Sequence, residues 1–112
     1  MWENFLWIGG LNMTTITKIE DIKEAGKWLS IEAKVIQIWD TTNKAISQTG
    51  IVGDETGAIK IVAWKKSGYP PLELGETYKL VNVATSEFND RFSVSINKNT
   101  KIIPMGRQEL EV

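Results

Sequence analysis

Between Gln48 and Trp64 the chain has little freedom in what it can become. Ile59, Ile61 and Ala63 alternate with Lys60, Val62 and Trp64. A period of two turns into one apolar and one outward face only in an extended strand. Asp54-Glu55-Thr56-Gly57 separates this run from the segment before it, and Asp and Gly at such positions suit a tight hairpin turn. The pattern predicts two antiparallel strands, with Trp64 at the far end on the same face as Lys60. A cation and an indole on one face suit a surface that stacks a base and attracts a phosphate. The plainer alternative is a hairpin with one large residue half-buried at its end. Asp54 and Glu55 could also be read as an acidic pair for metal or acid–base chemistry. Adjacent strand-turn residues point apart, so the turn is the preferred reading.

Composition removes many other chemistries. The 112 residues contain no Cys and no His. Disulfides, thiolate catalysis, zinc fingers and imidazole bases are therefore excluded. The chain also lacks a nucleophile elbow and a phosphate-cradling glycine loop. No enzymatic activity, cofactor or metal is expected. No apolar run approaches the roughly 20 residues that span a bilayer, so no membrane association is expected, and the absence of Cys is compatible with a cytoplasmic location. The net charge of −1 argues against a strongly electrostatic nucleic-acid binder. Its distribution is uneven, because residues 27–101 hold ten Lys and Arg against eight Asp and Glu, a net of +2.

The length suits one domain. Residues 1–13 are expected to form a disordered or weakly docked extension, 14–104 the domain, and 105–112 a tail. Thr17-Lys-Ile-Glu20 fits a capping box and Gly26 a helix stop, which predicts a short N-terminal helix carrying Ile19, Ile22 and Ala25 on one side. From Trp28 the period becomes two, and it slips at Val35-Ile36, where a bulge would let one long strand bend between two sheets. Further strands are expected at about 46–54, 58–64, 76–85 and 92–97, with a brief extension at 101–104. Residues 40–44 and 86–91 read as polar loops, and 65–75 as a connection with at most a helical turn. Five strands, short connections and a bent first strand predict an all-β chain folded as a small barrel. An SH3-like barrel and a small sandwich are the alternatives.

Trp28 to Ile102, about two-thirds of the chain, resembles the OB-fold domains of archaeal replication protein A. The residues that carry the resemblance are Gln48, Gly50, Gly53-Asp-Glu-Thr-Gly57, Ile59-Lys60 and Trp64, then Leu72-Glu-Leu-Gly75, Tyr78, Asn82-Val83 and Arg91-Phe92-Ser-Val-Ser-Ile-Asn-Lys98. The resemblance implies a five-stranded OB-fold barrel that binds single-stranded DNA across strands 2 and 3. The loops after strand 1 and between strands 4 and 5 would flank that groove. It also implies a role in replication or repair, with other replication protein A-like subunits as partners. This chain holds one such domain and lacks the Cys/His zinc cluster of some family members. A subunit, an accessory protein, or one domain of a larger assembly fits those departures.

Carried over residue by residue, Trp64 and Phe92 match the two stacking aromatics, while Lys60, Lys34 and Arg91 match basic positions. The phase of Phe92 with Val94 and Ile96 instead puts it on the core side of its strand. Phe88, in its polar stretch, reads as a base clamp or a loop anchor. Trp39 reads as a third platform or a barrel plug, and Lys44 as a phosphate contact or solvated surface. RNA is a second candidate ligand, because the 2′-hydroxyl contact that separates RNA from DNA depends on side-chain placement. A protein-assembly subunit, anchored by Trp2, Phe5, Leu6 and Trp7, is the reading from a different class.

Overall fold

A computed structural model describes residues 15–39 and 41–106. The described strands are β1 (Trp28–Trp39), β2 (Ile46–Asp54), β3 (Gly57–Trp64), β4 (Thr77–Phe88), β5 (Arg91–Ile96) and β6 (Lys101–Gly106). Five of them close a barrel. β1 pairs antiparallel with β2, β2 with β3, and β5 with β4, while β3 and β5 run parallel. The barrel shuts because the first half of β1 pairs with β4 and its second half with β2. The sixth strand lies alongside β4, outside the closed ring.

The switch of partners along β1 depends on the slip visible in the sequence. Its register with β2 shifts between Val35 and Gln37, and Ile36, the residue in between, turns outward to 41% exposure. The approach there is close: a Cβ on Gly50 would sit 2.2 Å from the Gln37 carbonyl oxygen. Inside the ring, Ile31, Ala33, Val35, Val52, Ile59, Ile61, Leu80, Val83, Val94 and Ile96 are buried. Burial of each such Val, Leu or Ile contributes about 1.5–3 kcal/mol.

Polar ties fix the connections to this core. The Gln48 amide donates to the Leu72 carbonyl at 2.9 Å and accepts from the Leu72 N–H at 2.8 Å. That pair holds the long β3–β4 connection over one end of the barrel. The Tyr69 hydroxyl donates to the Thr100 carbonyl, and the Tyr78 hydroxyl accepts from the Glu73 N–H at 2.9 Å.

Two expectations are corrected. The N-terminal helix is a single 3-10 turn, Ile19–Asp21. Thr17 does not cap it; its N–H donates to the Ser30 carbonyl at 2.7 Å instead. Asp54 accepts from the Ile19 N–H at 3.0 Å, so tertiary contacts replace the local capping box. Ile19 and Ile22 are buried as expected, but Ala25 is exposed. The second correction concerns 86–91. β4 runs on to Phe88, and only Asn89 and Asp90 turn, with φ of 52° and 62°. Two left-handed residues make the tight hairpin whose twist matches its strands, and Asn and Asp tolerate that conformation. Residues 1–14 and 107–112 lie outside the described residues, as does Asp40, while Met105 and Gly106 belong to β6.

Candidate nucleic-acid interface

The ladder registers define which side chains share the outer face. Lys60 on β3 stands between Ile51 on β2 and Ser93 on β5. Ser93 in turn faces Ser86 on β4, and their hydroxyl oxygens are 2.8 Å apart. Arg91 pairs with Phe88 across the β4–β5 hairpin. Trp39 ends β1 opposite Thr49. Two strand ends therefore carry aromatic arms, with Trp39 38% and Phe88 79% exposed.

Between these arms lies a cleft of about 620 Å³, whose lining includes Trp39, Ile51, Lys60, Phe88, Arg91 and Phe92. Two cations line it and, among the described residues, no carboxylate does. Lys60 and Arg91 are exposed and form no ion pair among the described residues. The floor is apolar and small. Ile51 and Ala58 come from the β2–β3 hairpin, and Ile19 and Ile22 from the N-terminal turn. The arrangement offers flat rings at the sides, an apolar floor and positive charge, the elements that hold a strand of stacked bases and phosphates.

Five of the eight residues singled out in the sequence meet in this cleft: Lys60, Arg91, Phe92, Phe88 and Trp39. Phe92 is half-buried and packs against the core from its edge. Core phase and cleft lining are both true of it, because it sits at a strand end. Trp64 is not a lining residue. It shares the outward face with Lys60 but lies four residues away, about 13 Å along β3, opposite Ile46. Lys44 is exposed at the same end of the hairpin, where the Lys65 N–H donates to the Ala45 carbonyl at 2.9 Å. Lys34 stands opposite Gly53, on the row that leads to Ala58.

Sequence reasoning passed over Ile51, Ser93 and Ser86. A signal existed for Ile51, since an apolar residue opposite Lys60 sits on the face that alternation assigns to solvent. The serines had none, because their meeting depends on the β4–β5 register.

Asp54 secures the cleft from below. One carboxylate oxygen accepts from the Thr56 N–H at 2.7 Å, the Thr56 hydroxyl at 2.6 Å and the Gly57 N–H at 3.2 Å. The other accepts from Ile19, as above. Burial pushes its pKa up, but these hydrogen bonds outweigh burial and leave the carboxyl below its ordinary 3.8. Lys18 and Glu55 form an exposed ion pair beside it, which raises the Lys18 pKa and lowers that of Glu55. The acidic turn is thus a structural knot. Among the described residues no group of three or more acidic, His or Cys side chains could hold a metal ion, and no helix is long and apolar enough to cross a membrane.

No protein-family model matches the chain. It is 47% identical to an OB domain from Methanosarcina mazei, with a TM-score of 0.80, covering 88% of this chain and 89% of that one. It is 25% identical over 105 residues to Replication factor A of Methanothermobacter thermautotrophicus, covering 84% of this chain and 13% of that protein. The chain thus spans about an eighth of that relative's length. A murine DNA-binding protein bound with double-stranded DNA shares the fold, at 15% identity and a TM-score of 0.63, covering 87% of this chain and 50% of that one.

Proposed function

The chain belongs to the OB-fold domain family, and on that premise we propose that its cleft binds single-stranded DNA without strong sequence preference. In this reading the chain is a non-enzymatic module of replication or repair, working beside further replication protein A-like domains. One observation carries the reading: two aromatic arms from different strand ends flank a cleft that holds Lys60 and Arg91 and, among the described residues, no carboxylate. Bases stack on Trp39, Phe88 and the edge of Phe92, and phosphates run past Lys60 and Arg91. Trp64 and Lys44 extend the track toward the far end of the β2–β3 hairpin, and Lys34 borders it at the side. Stacking contributes roughly 1–3 kcal/mol per base and tolerates any base. The similarity to Replication factor A supports DNA as the ligand. The duplex-bound fold relative makes duplex the necessary control.

The test is fluorescence anisotropy of a labelled oligothymidylate with wild type, Phe88→Ala and Lys60→Ala, with duplex and oligouridylate in parallel. Saturable single-strand binding, weakened in both variants and poorer for duplex, is the expected result. Binding that ignores both substitutions sinks the assignment of this cleft. Tighter binding of oligouridylate makes RNA the ligand, and no binding by a folded sample leaves the assembly-subunit reading.

A further inference from the structure

A second aromatic group lies away from this cleft. Trp28 opens β1, is 57% exposed, and lines an open cleft of about 490 Å³ together with Asn82 and Asn99. Its backbone surroundings are fixed. The Lys27 N–H donates to the Thr85 hydroxyl at 2.9 Å, and the Thr85 N–H to the Lys27 carbonyl at 2.8 Å.

Asn82 is held more unusually. Opposite β1 the register jumps from Leu29–Val83 to Ile31–Leu80, so Val81 and Asn82 together face Ser30. Such a bulge re-aims a side chain and is common beside functional sites. Asn82 has a φ of 64° in the interior of a strand, the left-handed conformation that Asn tolerates better than most residues other than glycine. The Asn82 N–H donates to the Ser30 hydroxyl at 3.2 Å, and its carbonyl accepts from the Thr100 hydroxyl at 2.8 Å. Asn99 sits in a turn closed by its own N–H donating to the Asn97 side chain at 2.9 Å. The side-chain amides of Asn82 and Asn99 make no hydrogen bond among the described residues. A left-handed, pinned backbone thus presents unspent amides beside a bare indole.

We propose that Trp28, Asn82 and Asn99 form a second site that takes a nucleobase, with adenine preferred. The choice of a base as the flat ring rests on the nucleic-acid reading of the chain. The indole face stacks the ring, and a carboxamide offers a donor and an acceptor side by side. That pair matches the N6 and N7 edge of adenine. Lys98, next to Asn99 in the same turn, is exposed and brings a positive charge near the site. The site adds base preference to a domain whose main cleft has none.

The experiment is a ¹⁵N NMR titration of the whole chain with adenosine 5′-monophosphate, thymidine 5′-monophosphate, maltose and an oligothymidylate. Trp28→Phe assigns the indole signal. Asn82→Gly removes one amide while suiting the left-handed backbone. The expected result is that adenosine monophosphate moves the Trp28 indole and both Asn amides. Asn82→Gly should weaken this by about two- to tenfold and leave the oligothymidylate shifts at Lys60 and Ser93 unchanged. An unmoved Trp28 beside oligothymidylate shifts in the main cleft overturns this site alone, and no shift anywhere overturns the main cleft with it. Equal response to both nucleotides with still amides overturns adenine preference. Movement by maltose alone reassigns the site to a carbohydrate.

Discussion

Lys60 and Asp54 sit six residues apart on one hairpin and do opposite work. The Lys60 ammonium is exposed and unpaired among the described residues, so it contributes nothing to holding the barrel and is available to a phosphate. Lys60→Ala should leave the melting temperature unchanged. It should also make the log–log salt dependence of single-strand binding shallower by about 0.7, one phosphate contact; anisotropy titrations at several salt concentrations measure it. Asp54 is 2% exposed; three hydrogen bonds close its own hairpin turn and a fourth ties that turn to Ile19 in the N-terminal turn. Asp54→Ala leaves those donors short of an acceptor and should destabilise by about 2–3 kcal/mol in urea unfolding. The sign of its pH effect follows from the lowered pKa. A carboxyl that ionises more readily when folded adds stability above its unfolded value, near 3.8. That stability is lost as pH falls through the lower folded value. Wild type should therefore weaken from about pH 4 downward, and Asp54→Asn should show a flatter acid dependence in the same range.

The bulge in β1 and the hairpin joining β4 to β5 decide where the arms of the cleft stand. Gly50 allows the β1 bulge, because any Cβ there would overlap the Gln37 carbonyl. Gly50→Ala should cost about 1–3 kcal/mol, lowering the melting temperature by roughly 4–8 °C per kcal/mol in a domain this size, read by calorimetry. The β4–β5 hairpin carries two phenylalanines with different duties. Phe88, 79% exposed, packs on little, so Phe88→Ala should lower single-strand affinity by roughly tenfold with stability intact. Phe92 reaches the core, so Phe92→Ala should lose about 2 kcal/mol of stability in addition to affinity. Thermal melts and binding measured on the same samples separate the two.

A single barrel with a net charge of −1 has little long-range attraction for a polyanion. About three phosphate contacts predict a log–log salt slope near −2. Offset by the cost of association, they predict a short strand held on the order of micromolar or weaker. Two copies joined by a flexible linker should bind a longer oligonucleotide far more tightly than one, through effective concentration alone, which a tethered dimer measured against the single domain would check. The alternation at 59–64, the slip at Val35 and the Asp-Glu-Thr-Gly turn were legible along the chain. Each expresses a local requirement: a pleat, an inserted residue, a left-over backbone bond. They sufficed for an all-β barrel and for the outward direction of Lys60. They did not suffice for the N-terminal turn, where a capping box that looks complete yields to Asp54, thirty-five residues from Ile19. Nor did they reveal that β4 continues to Phe88, or that Trp39 rather than Trp64 flanks Lys60. The company a side chain keeps depends on which strands meet and in what register. The closure of β1 on β4 and the parallel docking of β5 on β3 set that register, and no local pattern encodes either contact. The sequence by itself determined most of the strands and the alternation of their faces; the closed barrel decided which side chains line the cleft.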